Sequence, residues 1–146
     1  MKYRTKQKGV AAVEFGLLLV PLVTLAFGIT EFGRAMYQYN TIAKGVRDAV
    51  RFVSMKSPAA TDDAIAKCLV AYGNTGCKGT QLISGFVETA KVVVKNSPLQ
   101  TIPGGDLANL VTVEVTGFKF VSLVSFVVPD ITFGPIAATM FGPPPP

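Results

Sequence analysis

Residues 1–30 read MKYRTKQKGV AAVEFGLLLV PLVTLAFGIT, and they determine how the rest of the chain is arranged. Its basic start holds Lys2, Arg4, Lys6 and Lys8, and from residue 10 an apolar run follows that contains one charged side chain, Glu14. As a helix, residues 10–30 would measure about 31 Å, which matches the roughly 30 Å hydrocarbon core of a bilayer. Residues 10–30 are therefore predicted to span a membrane.

The charges before the apolar run predict its orientation. Four cations and no acid precede it, so the positive-inside rule places the N-terminus in the cytoplasm and the rest of the chain across the membrane. A cleaved secretory signal is the alternative, but residues 10–30 exceed its usual apolar core of about 7–15 residues. Pro21 lies near the middle of the run and predicts a kink or a local opening of the helix.

Composition argues against several classes of function. Hydrophobic residues make up 49% of the chain and charged residues 16%, which is apolar for a soluble domain. The formal net charge is +5, and four of the cations lie in the first nine residues. The rest of the chain therefore has little net charge and no basic face of the kind that binds nucleic acid. The sequence has no His and offers no convergent set of nucleophile, base and oxyanion donors. We therefore expect no enzyme, no cofactor, no metal site and no nucleic-acid partner.

The helical pattern continues beyond the apolar run. Phe32, Tyr39, Val46 and Val53 are spaced by seven, with further apolar residues between them, which is the stripe of an amphipathic helix. The stripe comprises Phe32, Ala35, Met36, Tyr39, Ile42, Ala43, Val46, Ala49, Val50 and Val53. Residues 10–54 are thus predicted to form one helix, apolar all round in its first half and amphipathic in its second. The stripe could pack on the C-terminal domain of the same chain or on other copies.

Residues 55–140 read as a small α+β domain. A short helix is predicted over residues 64–72, and strand candidates cover residues 86–95, 111–116, 118–128 and 131–139. The alternation of Val111, Val113 and Val115 with polar residues is the clearest strand pattern. The predicted fold class is α+β: a long N-terminal transmembrane and amphipathic helix followed by a small antiparallel β-sheet domain, with the sheet packed on the upper helix.

Two smaller features complete the chain. Cys68 and Cys77 have eight residues between them and predict a local disulfide in an oxidising compartment, with a buried reduced pair as the alternative. Residues 141–146, FGPPPP, are predicted to form an exposed polyproline II tail.

The N-terminal residues resemble a known family. Gly9 is followed five positions later by Glu14 and then by Phe15, after which come an apolar helix with Pro21 and the sequence EFGR at residues 31–34. This arrangement resembles the TadE-like proteins, minor pilins or pseudopilins of the tight-adherence (Tad, Flp-type) pilus, a branch of type IV pili. The resemblance implies that prepilin peptidase cuts after Gly9, so that residues 1–9 are a basic leader. Val10 then becomes the N-terminus, Glu14 stands fifth, and Phe15 replaces the Tyr of the small major pilins.

The family resemblance also implies a function. It predicts a minor pilin that acts in pilus biogenesis, adhesion and surface colonisation, with prepilin peptidase, other pilin subunits, the assembly platform and the inner membrane as partners. The expected location is a bacterial inner membrane, crossed once, or an extracellular pilus after assembly. We further expect Glu14 to pair with the Val10 amine of a neighbouring subunit, the alternative being a carboxylate that snorkels to the interface. A pseudopilin of a type II-like secretion system and an uncleaved single-span envelope protein are the alternative functions.

Overall fold

The computed structural model describes residues 8–56, 62–101 and 107–142. Its helices are α1 (Lys8–Ser54), α2 (Asp62–Tyr72) and α3 (Phe86–Thr89), and its strands are β1 (Lys91–Thr101), β2 (Leu107–Thr116), β3 (Lys119–Phe120), β4 (Ile131–Thr132) and β5 (Ile136–Phe141). The predicted α+β class, with a long helix before a small antiparallel sheet, is confirmed. Residues 1–7 of the predicted leader and residues 143–146 of the predicted tail lie outside the described residues. The tail prediction is wrong at Phe141, which is the last residue of β5 and pairs with Leu110 of β2.

The upper half of α1 forms one side of the core. From residue 42 onward the predicted stripe is buried, and it packs with the sheet and with aromatic side chains of the connecting segments. The buried members are Ile42, Val46, Ala49, Val50 and Val53. Lower on the helix, Phe32, Met36 and Tyr39 of the stripe are 67%, 44% and 41% exposed, although the Tyr39 ring still meets the Phe133 ring edge-on with centroids 5.7 Å apart. The domain of the same chain therefore covers the lower part of the stripe only in part, and packing of this part on other copies stays a prediction.

A three-stranded antiparallel sheet in the order β1-β2-β5 forms the other side of the core. The inward face of β2 is Val111, Val113 and Val115, which are all buried, as their alternation with polar residues predicted. The outward face is polar. Thr112 hydrogen-bonds Thr139 at 2.8 Å, and Lys95 pairs with Glu114.

Helix α2 packs closely on α1. A Cβ on Gly45 would lie 3.0 Å from the Cα of Val70, so the absence of a side chain at residue 45 permits this approach. Asp63 accepts a hydrogen bond from the amide of Val94 at 2.7 Å, which attaches the start of α2 to β1. At the other end of α2, Cys68 and Cys77 form a disulfide with their Cα atoms 4.7 Å apart, as the sequence predicted.

Three strand predictions need correction. Residues 86–89 are a helical turn, because Gly85 with φ 76° turns the chain and buries Phe86; the strand begins only at Lys91. Of residues 118–128, only Lys119–Phe120 is strand. Residues 131–139 fall into two short strands in different sheets, β4 paired with β3 and β5 paired with β2.

Candidate functional site

The first turns of α1 carry the residues predicted for processing and assembly. Gly9, Val10, Glu14 and Phe15 are all helical and exposed, with Val10 at 68% and Phe15 at 66%. Val10 and Glu14 are four residues apart and share one face of the helix. A Cβ at Gly9 would meet no neighbouring atom within 4 Å. This end of the helix is therefore open to another molecule.

The helix surface above these residues suits a lipid environment. In the described part of the chain, α1 is the one helix long and apolar enough to cross a membrane, and no residue of its most apolar stretch is buried. The hydroxyls of Thr24 and Thr30 donate to the carbonyls of Val20 and Ala26, both at 2.9 Å, which satisfies them within the helix. Pro21 lies inside α1, and its effect on the direction of the helix stays a prediction. This helix fits a membrane-anchored protein.

A buried carboxylate marks the place where the apolar half of α1 ends. Glu31 is 2% exposed, and its Oε1 lies 2.7 Å from Nη1 of Arg34, one turn later. Its Oε2 accepts hydrogen bonds from the Ser122 hydroxyl at 2.9 Å and from the Leu123 amide at 3.0 Å. We call these four residues the neck. The neck joins α1 to a segment 91 residues farther along the chain.

The neck holds Glu31 in its charged form. Burial opposes ionisation of Glu31, but the hydrogen bonds from Arg34, Ser122 and the Leu123 amide outweigh it and lower the pKa below its ordinary value. The guanidinium of Arg34 also lies 5.3 Å from the ring centroid of Phe120, a cation–π contact. Since Phe120 is fully buried, Arg34 is fixed between Glu31 and the core.

A second carboxylate closes the segment that follows β3. Asp130 lies 3.0 Å from Nζ of Lys119 and accepts a hydrogen bond from the Ser122 amide at 3.1 Å. The bond from Lys119 and the bond from the Ser122 amide lower the pKa of Asp130. Residues 121–128 therefore form a loop, the 121–128 loop, that is tied at its base by Asp130 and to α1 by Glu31.

Sequence reasoning did not identify Glu31 as a structural site. In the sequence, Glu31 and Arg34 stand out only as part of the EFGR segment at residues 31–34. An acid followed three residues later by Arg is a signal for an ion pair on a helix. Its partners Ser122 and Leu123 could not be found, because their segment reads as a strand. No group of three or more His, Cys, Asp or Glu side chains that could hold a metal ion occurs among the described residues.

Comparison with known proteins bears on the long helix. No curated protein and no solved structure matches the chain. The model of a protein family described as TadE-like protein matches residues 9–51. The matched stretch contains Gly9, Val10, Glu14 and Phe15 as well as the Glu31–Arg34 pair, and it covers most of α1. Over this helix the chain is similar to TadE-like proteins, the family that its N-terminal motif resembles.

Proposed function

We propose that this protein is a minor pilin, or pseudopilin, of a Tad/Flp-type pilus that is processed after Gly9 and assembled through α1. The observation that carries the proposal is the position of Glu14, the one acid among the exposed apolar residues 10–30 of α1, five residues after a glycine and inside the stretch that matches the TadE-like family. A structural role in pilus biogenesis, adhesion and surface colonisation follows from it, with other pilin subunits and the assembly platform as partners.

Processing by prepilin peptidase would change the charge of the N-terminus. Cleavage after Gly9 removes Lys2, Arg4, Lys6 and Lys8, and it leaves a cationic amine on Val10. A lone carboxylate costs about 2.5–3.5 kcal/mol at the bilayer centre and less near the interface. Pairing of Glu14 with the Val10 amine of a neighbouring subunit would offset that cost and set the axial register between helices.

The membrane topology is part of the proposal. We place the N-terminus in the cytoplasm and the sheet domain in the periplasm of a bacterial inner membrane, as the basic residues before α1 require. The disulfide between Cys68 and Cys77 supports this orientation, since disulfides persist in the periplasm and not in the cytoplasm.

The test of processing is the mature N-terminus of protein recovered from sheared pili. Mass spectrometry should give a chain that begins at Val10, and Gly9→Ala should leave the leader attached. A chain that begins at Met1 in wild-type cells would instead identify an uncleaved envelope protein. If cells that lack the gene still make normal pili but no longer secrete a substrate, the protein is instead a pseudopilin of a secretion system.

The test of assembly is Glu14→Ala, with Glu88→Ala as the matched control because Glu88 is an exposed acid of the sheet domain. We expect Glu14→Ala to be cleaved normally and to be lost from sheared pili, while Glu88→Ala is cleaved and incorporated like the wild type. Normal cleavage together with normal incorporation of Glu14→Ala would overturn the pairing.

A further inference from the structure

The 121–128 loop presents a second apolar surface, separate from α1. Val121, Leu123 and Phe126 are 58%, 77% and 83% exposed, respectively. We propose that these side chains enter the interface of the same bilayer that α1 crosses, so that the sheet domain touches the lipid surface directly. This inference rests on the proposed membrane span of residues 10–30.

The position of the loop along α1 is the first argument. A Cβ on Gly28 would lie 3.9 Å from Cγ1 of Val127, so the loop reaches a residue that belongs to the predicted span. The carboxylate of Glu31 holds Ser122 and Leu123 at the next turn of the helix. If residues 10–30 are in lipid, the loop lies at the depth of their last turn, and its apolar surface continues the lipid-facing surface of the helix.

The backbone of the loop is the second argument. The hydrocarbon region of a bilayer has no water to bond backbone amides, so a segment approaches it at lower cost when its amides have acceptors within the protein. The amides of residues 122 and 123 donate to Asp130 and Glu31. The amide of Val124 donates to the Ser122 hydroxyl, and those of Val127 and Val128 donate to the Val124 carbonyl. These five of the eight amides in residues 121–128 need no water, and the exposed apolar side chains of the loop point away from the core.

Charge is the third argument. Residues 121–128 contain no ionisable side chain. The charged groups that flank them are paired: Lys119 with Asp130 at 3.0 Å and Arg34 with Glu31 at 2.7 Å. None of these four charged groups is left unpaired beside the apolar surface of the loop. This low charge favours a lipid surface as its partner.

The chain has no Trp, so single Trp substitutions report on lipid contact without background. The full-length protein is reconstituted at a low protein-to-lipid ratio into phosphatidylcholine vesicles with plain or brominated acyl chains. Bromine quenches Trp fluorescence on contact. Phe126→Trp tests the loop. Leu22→Trp reports on the span, and Met55→Trp is the control, since Met55 is 70% exposed and about 35 Å beyond Glu31 along the helix axis.

We expect the emission of Leu22→Trp and of Phe126→Trp to fall about twofold or more in brominated vesicles, because interfacial side chains reach the acyl boundary, and that of Met55→Trp to stay unchanged. Quenching of Leu22→Trp without quenching of Phe126→Trp would overturn the inference and leave the span intact. Blue-shifted but unquenched emission from Phe126→Trp would point to a second copy as the partner and would also overturn it. Unquenched Leu22→Trp would show that the span itself is wrong. Leu123→Trp should repeat the result of Phe126→Trp.

Discussion

At the scale of single residues, Glu31 joins the apolar end of α1 to the 121–128 loop. One carboxylate satisfies a guanidinium, a hydroxyl and a backbone amide, and two of these groups come from the far end of the sequence. A buried hydrogen-bonded charge is costly to disturb, because its former partners keep their desolvation cost when it is removed. The neck therefore depends on this side chain more than on any of its three partners.

Glu31→Ala should loosen the neck. Loss of the carboxylate leaves Arg34, the Ser122 hydroxyl and the Leu123 amide without their acceptor, so we expect a lower midpoint of thermal unfolding and faster proteolysis within the 121–128 loop. Glu88→Ala serves as the control and should unfold as the wild type does. A Glu31→Ala protein with unchanged midpoint and unchanged proteolysis would show that the neck adds nothing to stability.

The charge of Glu31 also predicts a pH dependence. Its pKa is lower in the folded protein than the ordinary value of 4.5, so its contribution to stability is full above that value and is lost as the pH falls through the lowered pKa. Glu31→Gln has no charge to lose. The gap in unfolding midpoint between wild type and Glu31→Gln should therefore be constant near neutral pH and close as the pH falls below about 4.5; a gap that widens in acid would contradict the assignment.

At the scale of elements, the crossing of α1 and α2 depends on Gly45. Val70 contributes both its Cα at 3.0 Å and its carbonyl oxygen at 3.2 Å to the space that a side chain at residue 45 would fill. Both are backbone atoms, so neither can rotate away. Helix α2 is also held by Asp63 and by the disulfide, which limits how far it can shift.

Two glycines of the same helix provide a matched pair for this crossing. Gly45→Ala should destabilise the protein by about 1–3 kcal/mol, the range for overpacking. Gly33→Ala meets no atom within 4 Å and should stabilise it by up to about 1 kcal/mol, because Ala has the higher helix propensity. Denaturant unfolding in detergent measures both. Equal effects of the two substitutions would show that helix propensity, and not the crossing, sets the outcome.

At the scale of the whole molecule, the sequence predicted the parts that local pattern determines. Spacing by seven indicates the buried face of a helix, as at Val46 and Val53, and alternation indicates the buried face of a strand, as at Val111 and Val113. These two patterns predicted α1 and β2. The 121–128 loop was missed because its apolar residues resemble a strand, yet they are exposed and its polar atoms bond to Glu31. A contact across 91 residues leaves no periodic pattern in a sequence.

The attachment of the sheet domain along α1 has a mechanical consequence. Its contacts run from Glu31 at the neck to Val53 near the end of the helix, a distance of about 33 Å parallel to the helix axis. We call this row of contacts between α1 and the sheet domain the seam. A force that pulls residues 10–30 along the helix axis loads the seam in shear, so all its contacts resist the force together.

Single-molecule pulling between residue 10 and residue 139 should therefore give one rupture event, governed by the unfolding rate, and Glu31→Ala should lower its force. A stepwise release in wild type would contradict the shear geometry. If force is transmitted through α1, the resistance of the sheet domain to detachment depends on the length over which it contacts the helix.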